Sequence, residues 1–234
     1  MSITGATLSV VALVFCGNSP FSNEDPVLRR LVFTLNSQHY HPREINDEFA
    51  AQVFENIFDN LDGNKQFFTQ EDVNQFSKSK NRIDDEINAG QLTFFDSVWS
   101  TLMQRLDKIE PEILSNLERP LDYDKHVQFE VSIENKSYQK DINALMDYWH
   151  RWTRYQVVDR LYRKQKQQKD LEKSKKDSAT EIKILPFDTL ELKARNETKK
   201  FVQSWFKRWR KMDRQDQISF YGNTISEIFD PHTN

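Results

Sequence analysis

Seven apolar side chains within thirteen residues decide most of what this chain can become. Phe49, Ala50, Val53, Phe54, Ile57, Phe58 and Leu61 recur at spacings of three and four. At 3.6 residues per turn they fall on one face of a helix, with Glu55, Asn56, Asp59 and Asn60 turned away. Asn46 precedes Asp47 and Glu48, which is the capping residue and acidic first turn of a helix start. Asp62-Gly63-Asn64 then breaks the run. A strand cannot use this pattern, because a period of two would scatter the same residues over both faces.

The rest of the chain repeats the theme. Asn23-Glu24-Asp25-Pro26 reads as a helix start, followed by Val27, Leu28, Leu31, Val32 and Leu35 and ended by Pro42. Thr69 and Asp72 form a capping-like pair, and a helix is expected from there toward Ile87, closed by Gly90. From Leu92 a longer helix presents Phe95, Val98, Trp99, Leu102, Leu106 and Ile109. Pro111 should kink or break it before Ile113, Leu114 and Leu117 continue the face. Leu145, Met146, Trp149, Trp152, Val158, Leu161 and Tyr162 define another long helix from Ile142, running out into an exposed basic end or loop through Lys176. Leu190, Ala194, Phe201, Val202, Trp205, Phe206 and Trp209 mark the next, and Ile218, Tyr221, Ile225 and Ile228 the last. Residues 121–138 carry only a faint alternation of Val127, Phe129, Val131 and Ile133, a weak strand signal. With 5 Gly and 7 Pro in 234 residues there is little punctuation for tight turns, and 17 Phe, 5 Trp and 7 Tyr supply core material. The expected fold is all-α: long amphipathic helices joined by short loops. No fixed-period repeat appears, which excludes a solenoid.

The net charge of −3 hides an asymmetry. Residues 1–138 are acidic, whereas 139–176 and 193–214 are basic. Such a pattern concerns partners rather than fold. Cys16 is the single cysteine, so neither an intrachain disulfide nor a cysteine metal site can form. Leu8 to Cys16 is an apolar run of signal-peptide length, too short to span a bilayer. No Lys or Arg precedes it, and Phe15 stands where a lipoprotein acceptor site needs a small residue. Residues 1–22 are read as a signal peptide or signal-like segment, with a buried first helix or strand as the alternative.

Four patterns invite a chemical reading. Asp59-Asn60-Leu61-Asp62-Gly63-Asn64 lies between helices like a calcium loop, but with Gly63 at position six, Phe58 and Thr69 would occupy the first and twelfth ligand positions. A tight interhelical turn explains it better. Ser77-Lys78-Ser79-Lys80 has the S-x-x-K spacing of penicillin-recognising enzymes, without their Ser-Asp-Asn or Lys-Thr-Gly partners. His39 and His41 are two apart, and His126, His150 and His232 are isolated, too few convergent ligands for zinc. The tract from Lys199 to Lys211 aligns Phe201, Trp205 and Trp209 on one line of a helix with cations around it. That suits a core helix with a solvated basic face, or a helix that meets an anionic surface. No residue is assigned a catalytic, cofactor-binding or metal-binding role.

Two groups of residues resemble one family. His39-Tyr40-His41-Pro42, Ile45 to Phe49, Leu61-Asp62 and Phe67-Phe68-Thr69-Gln70-Glu71-Asp72-Val73 follow the order of the opening domain of tail-specific (C-terminal processing) proteases. Asn223, Ile225 and Phe229-Asp230-Pro231-His232-Thr233-Asn234 resemble the junction that leads into the PDZ domain of those enzymes. Asn46 stands where an acid is more usual, harmless if its task is capping. The middle, 121–185, carries little of the likeness, and its basic stretch reads as an insertion.

The resemblance implies a helical N-terminal domain over 23–229, with 230–234 beginning the junction to a missing PDZ domain. It implies that the parent protein is an exported serine endopeptidase with a Ser–Lys dyad, acting on proteins from their C-termini without metal or organic cofactor. This chain would be its non-catalytic scaffold and inactive alone. The implied partners are protein substrates, an adaptor protein, and the PDZ and protease domains of the same protein, but not nucleic acid. The implied location is the periplasm, with peripheral contact to the inner membrane. The alternative is a free-standing helical binding module whose basic aromatic helix meets acidic partners or a membrane surface.

Overall fold

The computed structural model describes residues 24–38, 43–132, 136–174 and 184–229. Eight α-helices occupy them: α1 (Pro26–Gln38), α2 (Asp47–Asp62), α3 (Gln70–Ser77), α4 (Ile83–Asn88), α5 (Thr93–Asn116), α6 (Ile142–Ser174), α7 (Phe187–Lys211) and α8 (Arg214–Phe229). Among the described residues there is no strand, only two isolated bridges, Glu24 with Gln91 and Thr69 with Gln139. The fold is all-α. The segment 1–22, His39–Pro42 and the junction 230–234 lie outside the described residues, as do Cys16, Ile133 and His232.

The local signals at helix starts are used as the residues dictate. Asp25 Oδ1 accepts from the backbone N–H groups of Val27 and Leu28 at 2.9 and 3.1 Å, so α1 begins at Pro26. Asn46 Oδ1 accepts from Glu48 and Phe49, both at 3.1 Å, and opens α2. Thr69 and Asp72 close a reciprocal capping box on α3. Asp213 and Asp216 exchange backbone N–H bonds at 3.1 and 2.9 Å to start α8.

The helices form two groups. α5, α6 and α7 pack against one another, while α2 packs on α4 and α8, and α1 on α4 and α8. One continuous core joins the groups. The whole α2 stripe is buried, with Ala50, Val53 and Ile57 fully so. Phe95 of α5 stacks on Tyr221 of α8 at 4.8 Å between ring centroids. Phe67, from the loop after α2, touches the rings of Trp149, Trp205, Phe206 and Trp209. That loop therefore plugs one helix group into the other.

Four expectations are corrected. The helix expected from Thr69 toward Ile87 is two helices. The N–H groups of Lys78 and Ser79 bond back three residues, to Gln75 and Phe76, which tightens and ends α3. A 3-10 turn, Lys80–Arg82, then redirects the chain so that Ile83 and Ile87 of α4 are fully buried. Gly90, at φ +69°, terminates α4 as its position suggested. Second, α5 runs unbroken through Pro111. Ile109 and Ile113, on either side of the proline, are fully buried, and packing against α6 and α7 outweighs the lost hydrogen bond. Third, the alternation at 127–131 forms no strand. Phe129 instead lies on the rings of Tyr148 and Tyr155 of α6. Fourth, Val158 and Tyr162 are 41% and 62% exposed, and Val157 takes the inward place. The buried line on α6 runs through Trp149, Thr153, Val157 and Leu161, and Val158 stands one residue, about 100°, off it.

Candidate functional site

The tract singled out for chemistry is the second half of α7, and its neighbours sort its side chains. Val202 and Phe206 are fully buried, Trp205 and Trp209 are half-buried, and Phe201 is 42% exposed. The aromatic line is thus mainly core. The cations divide in the same way. Lys199 pairs with Glu118, in the turn just after α5, and Arg210 pairs with both Glu110 and Asp107 of α5. Two hydrogen-bonded carboxylates raise the Arg210 guanidinium above its ordinary value although burial opposes them. Lys200, Lys207, Arg208 and Lys211 stay on the solvent side.

Deeper along α7, Glu191 and Arg195 form an ion pair with side chains only 4% and 7% exposed. Arg195 Nε donates to both Glu191 oxygens at 2.8 and 2.9 Å, and its Nη1 donates to the carbonyl of Leu117 at 2.9 Å. The Tyr123 hydroxyl donates a hydrogen bond to Glu191 Oε1 at 3.2 Å. Burial and this carboxylate push the Tyr123 hydroxyl well above its usual range. The pair thus satisfies the end of α5 and anchors the loop after it. The i, i+4 spacing of an acid and an arginine is visible in the sequence, but nothing local marks it as buried.

Ser77 and Lys80 do not meet as nucleophile and base. Ser77 Oγ donates to the Asn74 carbonyl at 2.9 Å, and Lys80 Nζ pairs with Glu55 at 3.2 Å above the Phe54 ring. Each side chain is thus hydrogen-bonded to a group other than its sequence partner.

The turn after α2 is not a cation loop. Asp62 points inward and is 2% exposed. Its carboxylate accepts from the backbone N–H groups of Gln66, Phe67 and Phe68 at 2.6, 2.9 and 2.9 Å. Burial pushes the carboxyl up to about 6 against the lowering effect of those bonds. Lys136 lies nearby and donates to the Asn64 carbonyl at 2.5 Å and the Tyr148 hydroxyl at 2.9 Å. The role of Asp62 is to hold the loop that delivers Phe67, and the turn reading of the sequence missed that the acid faces in.

His126 and His150 line one cleft of about 1040 Å³ between α5, α6 and the 120–128 loop. His150 Nε2 lies 2.8 Å from Glu112, and Nδ1 lies 2.8 Å from Asn116 Nδ2, so both ring nitrogens are engaged. No group of three or more His, Cys, Asp or Glu side chains suited to a metal occurs among the described residues. His39, His41 and His232 lie outside them. No described helix is long and apolar enough to cross a membrane.

The described residues thus form an all-α fold held together by an aromatic core and buried polar groups. A family model, that of the tail specific protease N-terminal domain, matches residues 31–234, and the chain belongs to this family. It is also similar to a tail-specific protease of Haemophilus influenzae, 22% identical over 209 residues, which is 88% of this chain and 26% of that protein. The chain thus spans about a quarter of the length of the curated relative it matches.

Proposed function

We propose that this domain is the non-catalytic scaffold of an exported serine-type endopeptidase that trims or degrades proteins from their C-termini. The observation that carries this reading is the family match over 31–234. The geometry supports the non-catalytic part, because Ser77 and Lys80 are each committed elsewhere. The aromatic junction around Phe67 is a rigid base on which neighbouring parts of the protein can be oriented. Substrate proteins, an adaptor, and PDZ and protease domains of the same polypeptide are its partners in this reading. Export to the periplasm, with contact to the inner membrane, rests on the Leu8–Cys16 run and on the family.

The test is direct. The purified chain, incubated with an unfolded protein ending in apolar residues, should leave it intact, whereas a longer polypeptide of the same gene carrying a peptidase region should degrade it. Cleavage by the chain alone, abolished by Ser77→Ala, would overturn the reading. Fractionation of cells expressing the natural N-terminus should place the protein outside the cytoplasm.

A further inference from the structure

The two sides of α7 treat their cations differently. On the side facing the fold, Arg195 meets Glu191, Lys199 meets Glu118, and Arg210 meets Asp107 and Glu110. On the outward side, Lys193, Lys200, Lys207 and Lys211 follow one another at intervals of seven, seven and four residues, and all are exposed. Those intervals keep them on one line of a helix, a row about 27 Å long at the α-helical rise. Arg208 stands beside it. None of the five has an ion-pair partner among the described residues. Glu197, the acid that lies within the row's span, is taken by Lys164 of α6 at 2.6 Å.

We propose that this outward row is a docking surface for an acidic helical segment of a partner protein, one that presents carboxylates at seven-residue spacing. Charge complementarity selects an acidic partner. On its other side α7 already meets acids of a neighbouring helix, since Arg210 pairs with Asp107 and Glu110 of α5. A bilayer fits less well. The positions between the lysines include Asn196, Gln203 and Ser204, and Phe201 on the flank carries the Arg160 guanidinium at 5.1 Å from its ring centre, which puts a charge on the nearest exposed ring. Membrane-bound helices instead place apolar side chains beside their cations for insertion. The proposal rests on the scaffold reading only in making the partner a protein, and its test needs no protease activity.

The probe is a labelled synthetic helical peptide with Glu at every seventh residue, titrated with the full chain by fluorescence anisotropy. Controls are a scrambled peptide of the same composition and phosphatidylglycerol vesicles. The heptad peptide should bind about tenfold more tightly than the scrambled one, and raising salt from about 0.05 to about 0.3 M should weaken it. Lys200→Glu with Lys207→Glu should lower affinity about tenfold or more, while Lys166→Glu with Lys169→Glu on α6 should change it little. Unchanged melting of both variants excludes unfolding as the cause. Equal binding of the two peptides, equal loss in both variants, no peptide binding, or binding to vesicles alone would each overturn the proposal.

Discussion

The guanidinium of Arg105 on α5 grips the carboxylate of Asp72 on α3 with two parallel bonds, Nε to Oδ2 at 3.0 Å and Nη2 to Oδ1 at 2.5 Å. The same carboxylate accepts from the backbone N–H and hydroxyl of Thr69 at 2.9 and 2.8 Å. One acid thus caps its own helix and ties it to another. Burial opposes ionisation here, but Arg105 and Thr69 outweigh it and hold the carboxyl below its ordinary range.

Arg105→Ala should therefore cost about 2–3 kcal/mol, somewhat less than the loss typical of a fully buried pair, because the arginine keeps some solvent contact. The stabilising contribution of Asp72 is fully present above the ordinary carboxylate value and is lost as pH falls through its lowered one. Urea melts of wild type and Arg105→Ala should accordingly converge in strong acid.

Asp62 has the opposite sign. Its carboxyl is raised to about 6, so the folded state takes up a proton before the unfolded chain does. Its contribution is most favourable below the ordinary carboxylate value and declines as pH rises toward 6. Relative to Asp62→Asn, which cannot titrate, wild type should gain on the order of 3 kcal/mol between pH 7 and about pH 4. Parallel stability curves for the two proteins over that range would refute this.

Glu191→Ala should destabilise the domain by about 3–5 kcal/mol, because it strands the Arg195 guanidinium in the core. The double replacement Glu191→Leu with Arg195→Met should be milder, although the Leu117 carbonyl still loses its donor. Denaturant titration of the single and double variants gives the comparison. A double variant worse than the single one would mean that the pair is not the unit that matters.

Phe54 is 7% exposed and lies against Phe58 and Phe94 at ring separations of 5.1 and 6.0 Å. Phe54→Ala should cost about 3–5 kcal/mol. Lys207→Glu with Arg208→Glu, on exposed positions of α7, should stay within about 0.5 kcal/mol per site. Thermal melts of both variants check the contrast, and the core assignment fails if their order is reversed.

Much of this architecture is legible from short-range pattern. The stripe on α2 is buried as its spacing implies, Asn46 and Thr69 cap the helices they precede, and α8 buries Tyr221, Ile225 and Ile228 as their period implies. These features are set within one or two turns of chain, where residue type and spacing act directly. Pro111 misleads for the same reason, because its local penalty is real but smaller than the packing around Ile109 and Ile113.

What the sequence alone determined is the all-α class, most helix limits and the greater part of the core, together with the ordered motifs that resemble the family. Only the tertiary structure decided which charges are buried. Asp62 faces inward because the loop it holds carries Phe67 into the rings of α6 and α7. The cations of α7 part into paired and unpaired sets because α5 lies on one side of the helix and solvent on the other. Lys199 and Lys200 are adjacent and have the same intrinsic chemistry, and the difference between them comes from Glu118, 81 positions away in the chain.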